Sequence, residues 1–404
     1  MKKNLLKTVM AVAIVLTISS CQKNANEIAS TDDSQTVTKE MMSEKGANPD
    51  EASVASDGDA DVQSRSNKHF VYTETNGTGG NMIMKFEIKP NGSLDADGSV
   101  ASGGNGTGSA LGSQGAVVLD KNEDWLFAVN AGSNSVSSFK VNNNGSVTLA
   151  YTSPSGGMMP VSVAVHGNLM YVLNRGSDNI HGFTLHNNGA MTPIAGSSKP
   201  LSSTAVDAPQ ISFTPDGDWV VVTEKATNKI STFKVRIDGS IQNGIFTNSV
   251  GATPFGFAFG RGDHMIVSNA VGGGTGLGSA TSYLTGNNGV PNAVNGARAN
   301  NQSAPCWVAV TKHGRYAFVT NTASNNISSY YVAPWGGLYL VESNAADSDM
   351  APLDIVVAEN NFYVYVLNAG SNTITGYART LFGGLNSLGS QGGLPAGSTG
   401  LATN

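Results

Sequence analysis

Glu224 and Lys225 stand side by side at the end of an apolar run that begins at Trp219, where comparable runs of the chain end in asparagine. A carboxylate beside an ammonium group supports two readings. It can take a proton from water while the cation neutralises an oxyanion. It can also be half of an exposed salt bridge of small energetic consequence, which is the expected state of Glu224. Arg175 and Asp178 follow the run Met170–Asn174 in the corresponding place, and Arg175 suits a developing negative charge as Lys225 does. Gln210, Trp307 and Asp354 each come one or two residues after a proline that opens another apolar run. Gln210 can hydrogen-bond but cannot shuttle a proton. Trp307 either packs between structural units or offers a flat face to a sugar ring. Asp354 must be paired or must face water. Asn130, Asn134, Asn174, Asn269, Asn321 and Asn368, with Ser133, recur at run ends, where asparagine holds a turn or meets a ligand.

These residues are spaced by a repeat. The segment from Trp125 to Phe139 returns as Met170 to Phe183, Trp219 to Phe233, Tyr316 to Tyr330 and Tyr363 to Tyr377. Each is preceded by a shorter apolar stretch that usually opens on proline, at Pro160, Pro209, Pro254, Pro305 and Pro352, with Gln114 in that place once. Successive starts lie 46, 49, 45, 51 and 47 residues apart. Polar turns such as Asn142–Gly145 and Asp238-Gly239 then lead to a further short strand, giving four strands per unit. Links this short make the strands antiparallel. Such a unit cannot bury both faces alone, so units must stack radially. Proline is tolerated at the first residue of a strand because no ladder bond is lost there.

Six units are complete and the seventh is split. His69–Thr73 reads as a second strand with no first strand before it, and Leu394–Asn404 reads as a first strand with no second. Joining them closes the ring and removes exposed sheet edges. The expected fold is an all-β, seven-bladed β-propeller of four-stranded antiparallel blades, closed by the C-terminal strand pairing with the N-terminal blade.

At these segments the chain resembles the seven-bladed propellers of the lactonase family, whose repeats are of Tyr-Val-Thr-Asn type. Phe318-Val319-Thr320-Asn321, Thr214-Pro215-Asp216-Gly217-Asp218 and Ala304-Pro305-Cys306-Trp307 carry the resemblance, which spans about residues 68–404. The resemblance implies a ligand site at the mouth of the central channel, with a histidine after a first-strand proline and arginine and glutamate nearby. Here the residues following those prolines are Val161, Gln210, Phe255, Cys306 and Leu353, with Gly115 after Gln114. Gln210 occupies the slot where the resemblance puts the catalytic histidine. By register the six histidines, His69, His166, His181, His186, His264 and His313, all fall away from that mouth.

The N-terminus carries an address. Lys2 and Lys3 precede an apolar core, Val9–Leu16, too short for the roughly 18–20 residues that span a bilayer. Ile18-Ser19-Ser20-Cys21 resembles the bacterial lipobox, which implies lipid attachment at Cys21 and anchoring in a cell-envelope membrane, the outer membrane or cell surface by the residue that follows. Residues 22–67 are rich in Ser, Asp, Glu, Lys and Asn without apolar periodicity, and read as a disordered polar tether. Within it Asp57–Asp61 mimics a calcium loop, but Val62 and Lys68 occupy positions that require glycine and glutamate, so no metal site is expected. The domain reading is therefore 1–21 signal, 22–67 tether and 68–404 propeller. Cys306 is the only other cysteine and reads as a buried small hydrophobe.

Composition narrows the partners. Charged residues are only 13% of the 404, with 23 basic against 29 acidic, and no basic cluster is present to hold nucleic acid. The stretch Gly272–Gly278 lacks the Gly-Lys-Ser/Thr ending of a phosphate loop and reads as a mobile rim loop. No cofactor is implied. Two functional readings remain. The first is a lipid-anchored binding module whose mouth residues, Gln210, Asp178, Trp307, Asp354, Asn130 and Asn321, hold a glycan, small molecule or protein. The second is a lactonase-like hydrolase with a rearranged site, with Glu224 as base and Lys225 or Arg175 stabilising the oxyanion.

Overall fold

A computed structural model describes residues 68–404; the expected signal, lipidated Cys21 and tether lie outside the described residues. The second strand of each blade is its most buried. Every residue of Trp219–Glu224 and of Tyr316–Asn321 is buried, because neighbouring blades cover both faces. A strand covered on both sides has no solvent face to alternate with, which is why these runs are continuously apolar in the sequence. Outermost strands such as Val147–Pro154 are largely exposed and carry mixed polarity.

The strands form seven antiparallel sheets. The six blades contained in one stretch of chain start on the innermost strands Val117–Leu119, Pro160–His166, Gln210–Phe213, Pro254–Phe259, Pro305–Val310 and Pro352–Val357. The first blade is split as the repeat requires. Its innermost strand, Thr399–Thr403, pairs antiparallel with His69–Glu74, in the register Val71 to Thr403 and Tyr72 to Ala402. The Phe70 N–H donates to Asn404 Oδ1 at 2.7 Å. The strand is shorter than the sequence implies, because Pro395 lacks an N–H and Gly397 has φ +92°. The ring is thus complete within residues 68–404, with no blade lacking a strand.

One contact recurs at all seven blade junctions. The side chain at the start of a second strand packs on a glycine in the outer turn of the next blade: Phe70 on Gly145, Trp125 on Gly189, Leu169 on Gly239, Trp219 on Gly289, His264 on Gly336, Tyr316 on Gly383 and Tyr363 on Gly92. A Cβ on Gly189 would lie 2.2 Å from the Trp125 ring, so no larger residue fits. The glycine carbonyls are used as well: Tyr72 donates to Gly145 at 2.8 Å, Tyr365 to Gly92 at 2.9 Å and Ser138 to Gly189 at 2.7 Å. These junctions lie on the lower face, where first strands end and second strands begin. The upper face holds the starts of the first strands and the loops between second and third strands.

Candidate functional site

The residues singled out by sequence gather on the upper face, and the starts of the innermost strands position them. The residue before the proline has a left-handed backbone in four blades, at Met159, Thr253, Ala304 and Ala351, with φ of 55, 55, 51 and 52°. Strand pairing then slips, between Pro160 and Ser162, Pro254 and Phe257, Pro305 and Trp307, and Pro352 and Ile355. A bulge frees residues from the ladder and re-aims their side chains. Phe255, Cys306 and Asp354 occupy these bulges.

The opening they surround, where the sequence places a ligand site, is crossed by the chain itself. Residues 111–116, on their way into the second blade, cross the ring. The Ser113 carbonyl accepts the Trp307 indole N–H at 2.9 Å. Gln114 Nε2 donates to the Val308 carbonyl at 2.9 Å, and its Oε1 accepts the Val308 N–H at 3.2 Å. The Gln114 N–H reaches the Pro209 carbonyl at 3.1 Å, and Ser162 Oγ donates to the Gln114 carbonyl at 2.6 Å. Gly112 and Gly115, with φ of 58 and 77°, break the extended path, so the strand begins at Val117 rather than at Gln114.

Several expected ligand contacts are consumed by this architecture. Trp307 is buried, its ring tilted against Phe255 with centroids 5.0 Å apart, and offers no stacking face. Gln210 bridges the fourth and fifth blades, Nε2 donating to the Phe257 carbonyl at 2.8 Å and Oε1 accepting the Phe257 N–H at 2.6 Å. Its amide thus satisfies both backbone polar groups of Phe257. Asp354 neither faces a wet channel nor relies on a cationic partner. Its Oδ1 accepts the Ile355 N–H at 2.9 Å and its Oδ2 the Leu401 N–H at 3.0 Å, joining the seventh blade to the closing strand. Burial nevertheless pushes its carboxyl up to about 7.

Two sets recur among the asparagines, with Asn174 bonded instead to the Ser155 carbonyl and Asn269 to Ser279 and Thr281. Asn130, Asn321 and Asn368 are buried and donate seven residues ahead, to Ser137 at 2.9 Å, Ser328 at 2.9 Å and Thr375 at 2.8 Å, bracing the loop between second and third strands. Asn134, Asn228 and Asn325 accept the N–H of Met159, Thr253 and Ala351, tying down the loop that enters the next blade. Asp178 does the same for Ala205, at 2.7 Å, and for Val206, at 3.2 Å. Gly272–Gly278 is likewise tied, with the Gly272 N–H on Thr253 Oγ1 and the Gly278 N–H on the Gln302 carbonyl.

Glu224 is the main correction. It is fully buried rather than salt-bridged at the surface. Ser202 Oγ, Thr227 Oγ1 at 2.6 Å and Ser231 Oγ at 2.5 Å donate to its carboxylate, with the Ser202 N–H at 3.1 Å. A carboxylate enclosed by hydroxyls can hold a loop but cannot meet a water nucleophile. Glu74 occupies the same position in the first blade, a residue that sequence reasoning passes over. It is buried, with Asn81 Nδ2 on one oxygen at 2.9 Å, and burial holds its carboxyl well above the usual range.

The strand ends at Glu224, and Lys225, in the turn that follows, lies outside this cage. Its Nζ lies 3.0 Å from Asp207 Oδ2 and 4.4 Å from the centroid of the Phe255 ring. Arg175 Nη1 lies 3.7 Å from Asp207 Oδ1. Burial lowers the Arg175 pKa, and Asp207 opposes that shift. The structure therefore brings Arg175 and Lys225 together and puts Glu224 elsewhere. The missing member is Asp207, whose signal was its place two residues before Pro209, the start of an inner strand. Its side chain is 39% exposed, the part of this cluster that meets solvent most freely.

None of the six histidines joins the cluster. His69, His166, His264 and His313 lie at lower-face strand ends or turns, His186 in a lower outer turn, and His181 in the third strand of the third blade against Gly156. Burial lowers the His181 pKa.

Comparison with known proteins supports the architecture. The family model described as "Lactonase, 7-bladed beta-propeller" matches residues 105–200. No curated protein sequence matches the chain. Among solved structures, a Bacteroides uniformis protein provisionally assigned as a 6-phosphogluconolactonase superposes with a TM-score of 0.66 at 18% identity, covering 82% of this chain and 98% of the other. The periplasmic gluconolactonase of Pseudomonas aeruginosa gives 0.64 at 16% identity, with 82% and 98% covered. A Lactobacillus plantarum protein gives 0.68 at 17%, with 83% and 99% covered. The chain is a lactonase-like seven-bladed propeller in fold.

Proposed function

We propose that this propeller is a binding module of the cell envelope that holds a small oxygen-rich ligand, a sugar acid by its carboxylate or the lactone by its carbonyl, on the upper face between the third and fourth blades. The observation that carries this reading is the convergence of two cations on one partly exposed carboxylate, Arg175 and Lys225 on Asp207. The two cations outnumber Asp207, while Asp178 beside them is committed to the Ala205 and Val206 N–H groups, in a chain of net charge −6. Arg175 is 15% and Lys225 only 2% exposed, so a ligand carboxylate or polarised carbonyl reaches these donors by displacing the Asp207 carboxylate that covers them, in a site whose burial strengthens each charge-assisted bond. The sugar class is suggested by the lactonase family match and by the gluconolactonase among similar structures. The plugged channel, the absence of an imidazole from the cluster and the enclosure of Glu224 weigh against turnover.

The second reading is lactone hydrolysis, favoured by the same family match. Asp207 then replaces Glu224 as the carboxylate in reach. It takes a proton from water as the oxygen adds to the lactone carbonyl, Lys225 and Arg175 neutralise the oxyanion, and the proton passes to the ring oxygen as the carbon–oxygen bond breaks.

One experiment separates the readings. Residues 68–404 are titrated with aldonic acids by calorimetry and assayed for acid release on a panel of aldonolactones. Binding that Lys225→Met and Arg175→Ala abolish, without acid release, is the expected result. Release that disappears in Asp207→Asn establishes the hydrolase instead, and neither binding nor release rejects both.

A further inference from the structure

The lower face carries a cluster of exposed apolar side chains. Trp335 is 54% exposed, at the tip of the outer turn of the sixth blade. Leu381, 65% exposed, and Phe382 form the matching tip of the seventh, and Phe362 lies exposed in its inner turn. These turns are neighbours. The Lys312 N–H of the sixth blade donates to Asn361 Oδ1 at 2.9 Å, and Arg379 Nε donates to the Asn361 carbonyl at 3.0 Å. Gly383, next to Phe382, packs on Tyr316 of the sixth blade. The exposed apolar residues of the upper-face loops, Met158, Val250, Leu277 and Met350, include no aromatic and lie one to a loop.

Charge on this sector runs against that of the chain. Arg261, Lys312, Arg315 and Arg379 lie in or beside the lower turns of the fifth to seventh blades, against Asp263, Glu359, which pairs with Lys312, and Glu342, whose carboxylate lies beside Gly384. An aromatic and aliphatic tip set among basic residues is the composition that settles at a bilayer interface, the rings among headgroups and the cations toward anionic lipid. The place where the chain enters the ring agrees with a membrane as the occupant. The 67 residues that precede Lys68 reach the ring at the lower face, where His69 opens its strand next to Asn404 in the neighbouring first blade.

We infer that the lower face of the sixth and seventh blades docks on an anionic phospholipid surface, through Trp335, Leu381, Phe382 and Phe362. This contact is independent of any lipid on Cys21 and leaves the Arg175–Lys225 cluster facing away from the bilayer.

The test uses residues 68–404, which contain the whole ring and no anchor. Flotation with vesicles of phosphatidylethanolamine and phosphatidylglycerol should carry the protein upward, with a blue shift in tryptophan emission, since the other three tryptophans are buried or half-buried. The triple variant Trp335→Ser/Leu381→Ser/Phe382→Ser should lose about tenfold or more in partitioning and remain folded, because all three side chains are more than half exposed and Trp335 meets Tyr339 edge-on. A protein that stays below the vesicles overturns the proposal, as does a triple variant that floats equally well. Concentration-dependent dimerisation abolished by the same substitutions, without flotation, assigns the surface to a second copy and overturns it too.

Discussion

The indole N–H of Trp307 donates to the Ser113 carbonyl at 2.9 Å, linking the sixth blade to the segment that enters the second across the middle of the ring. The pair explains why the central opening is closed, and it can be cut without emptying the core. Trp307→Phe keeps aromatic packing on Phe255 and leaves a buried carbonyl unpaired. It should cost about 1–2 kcal/mol. Amide hydrogen exchange should quicken at residues 111–116, while exchange in the outer strands stays as it was.

Asp354 ties stability to pH. Its folded-state carboxyl lies at about 7 against an ordinary 3.8, because burial disfavours the charge. The native state therefore holds this proton more tightly than the unfolded chain does. The stabilisation is complete below about pH 4 and is lost as pH rises through about 7, and buried Glu74 acts in the same direction. Urea unfolding across that window should show stability falling with pH, and Asp354→Asn should flatten the slope while losing an accepted hydrogen bond. An equally steep profile in the variant would remove Asp354 as the cause.

Glu224 belongs to stability rather than chemistry. Glu224→Gln presents an amide N–H to hydroxyls that now donate, so the loop holding Ser202 should loosen at a cost of about 1–3 kcal/mol. Ligand affinity measured in the folded variant should change far less than in Lys225→Met. A variant of wild-type stability that loses all binding would return Glu224 to the site.

The glycine contacts between blades allow a controlled comparison. Gly189 and Gly196 have similar φ, 85 and 76°, but a Cβ meets the Trp125 ring at the first and nothing within 4 Å at the second. Gly196→Ala should cost about 1 kcal/mol from backbone strain alone. Gly189→Ala should add about 1–3 kcal/mol for the displaced ring. Thermal melts of the two variants read the difference.

The ring was legible because its cause is periodic: second strands covered on both sides must be continuously apolar, and proline marks where five of the seven inner strands start. The split blade followed from two unpaired half-signals, His69–Thr73 and Leu394–Asn404. The site was less legible because its contacts are not periodic. Nothing in the repeat says that Ser202, from a loop, will close over Glu224, or that residues 111–116 will turn inward instead of starting a strand at Gln114. Asp207 escaped notice because a lone aspartate in a loop acquires meaning only when two cations from different blades arrive beside it.

The seam of the first blade has a kinetic consequence. Phe70 and Asn404 are 334 positions apart, so its strand pairing spans nearly the whole described chain. Such a contact can form only after the intervening segments have condensed, since the entropy of so long a loop must first be reduced. The first blade is then the last to be finished in refolding. Until it is, the ring is an open arc with two raw margins, the species most exposed to misassociation and to proteolysis.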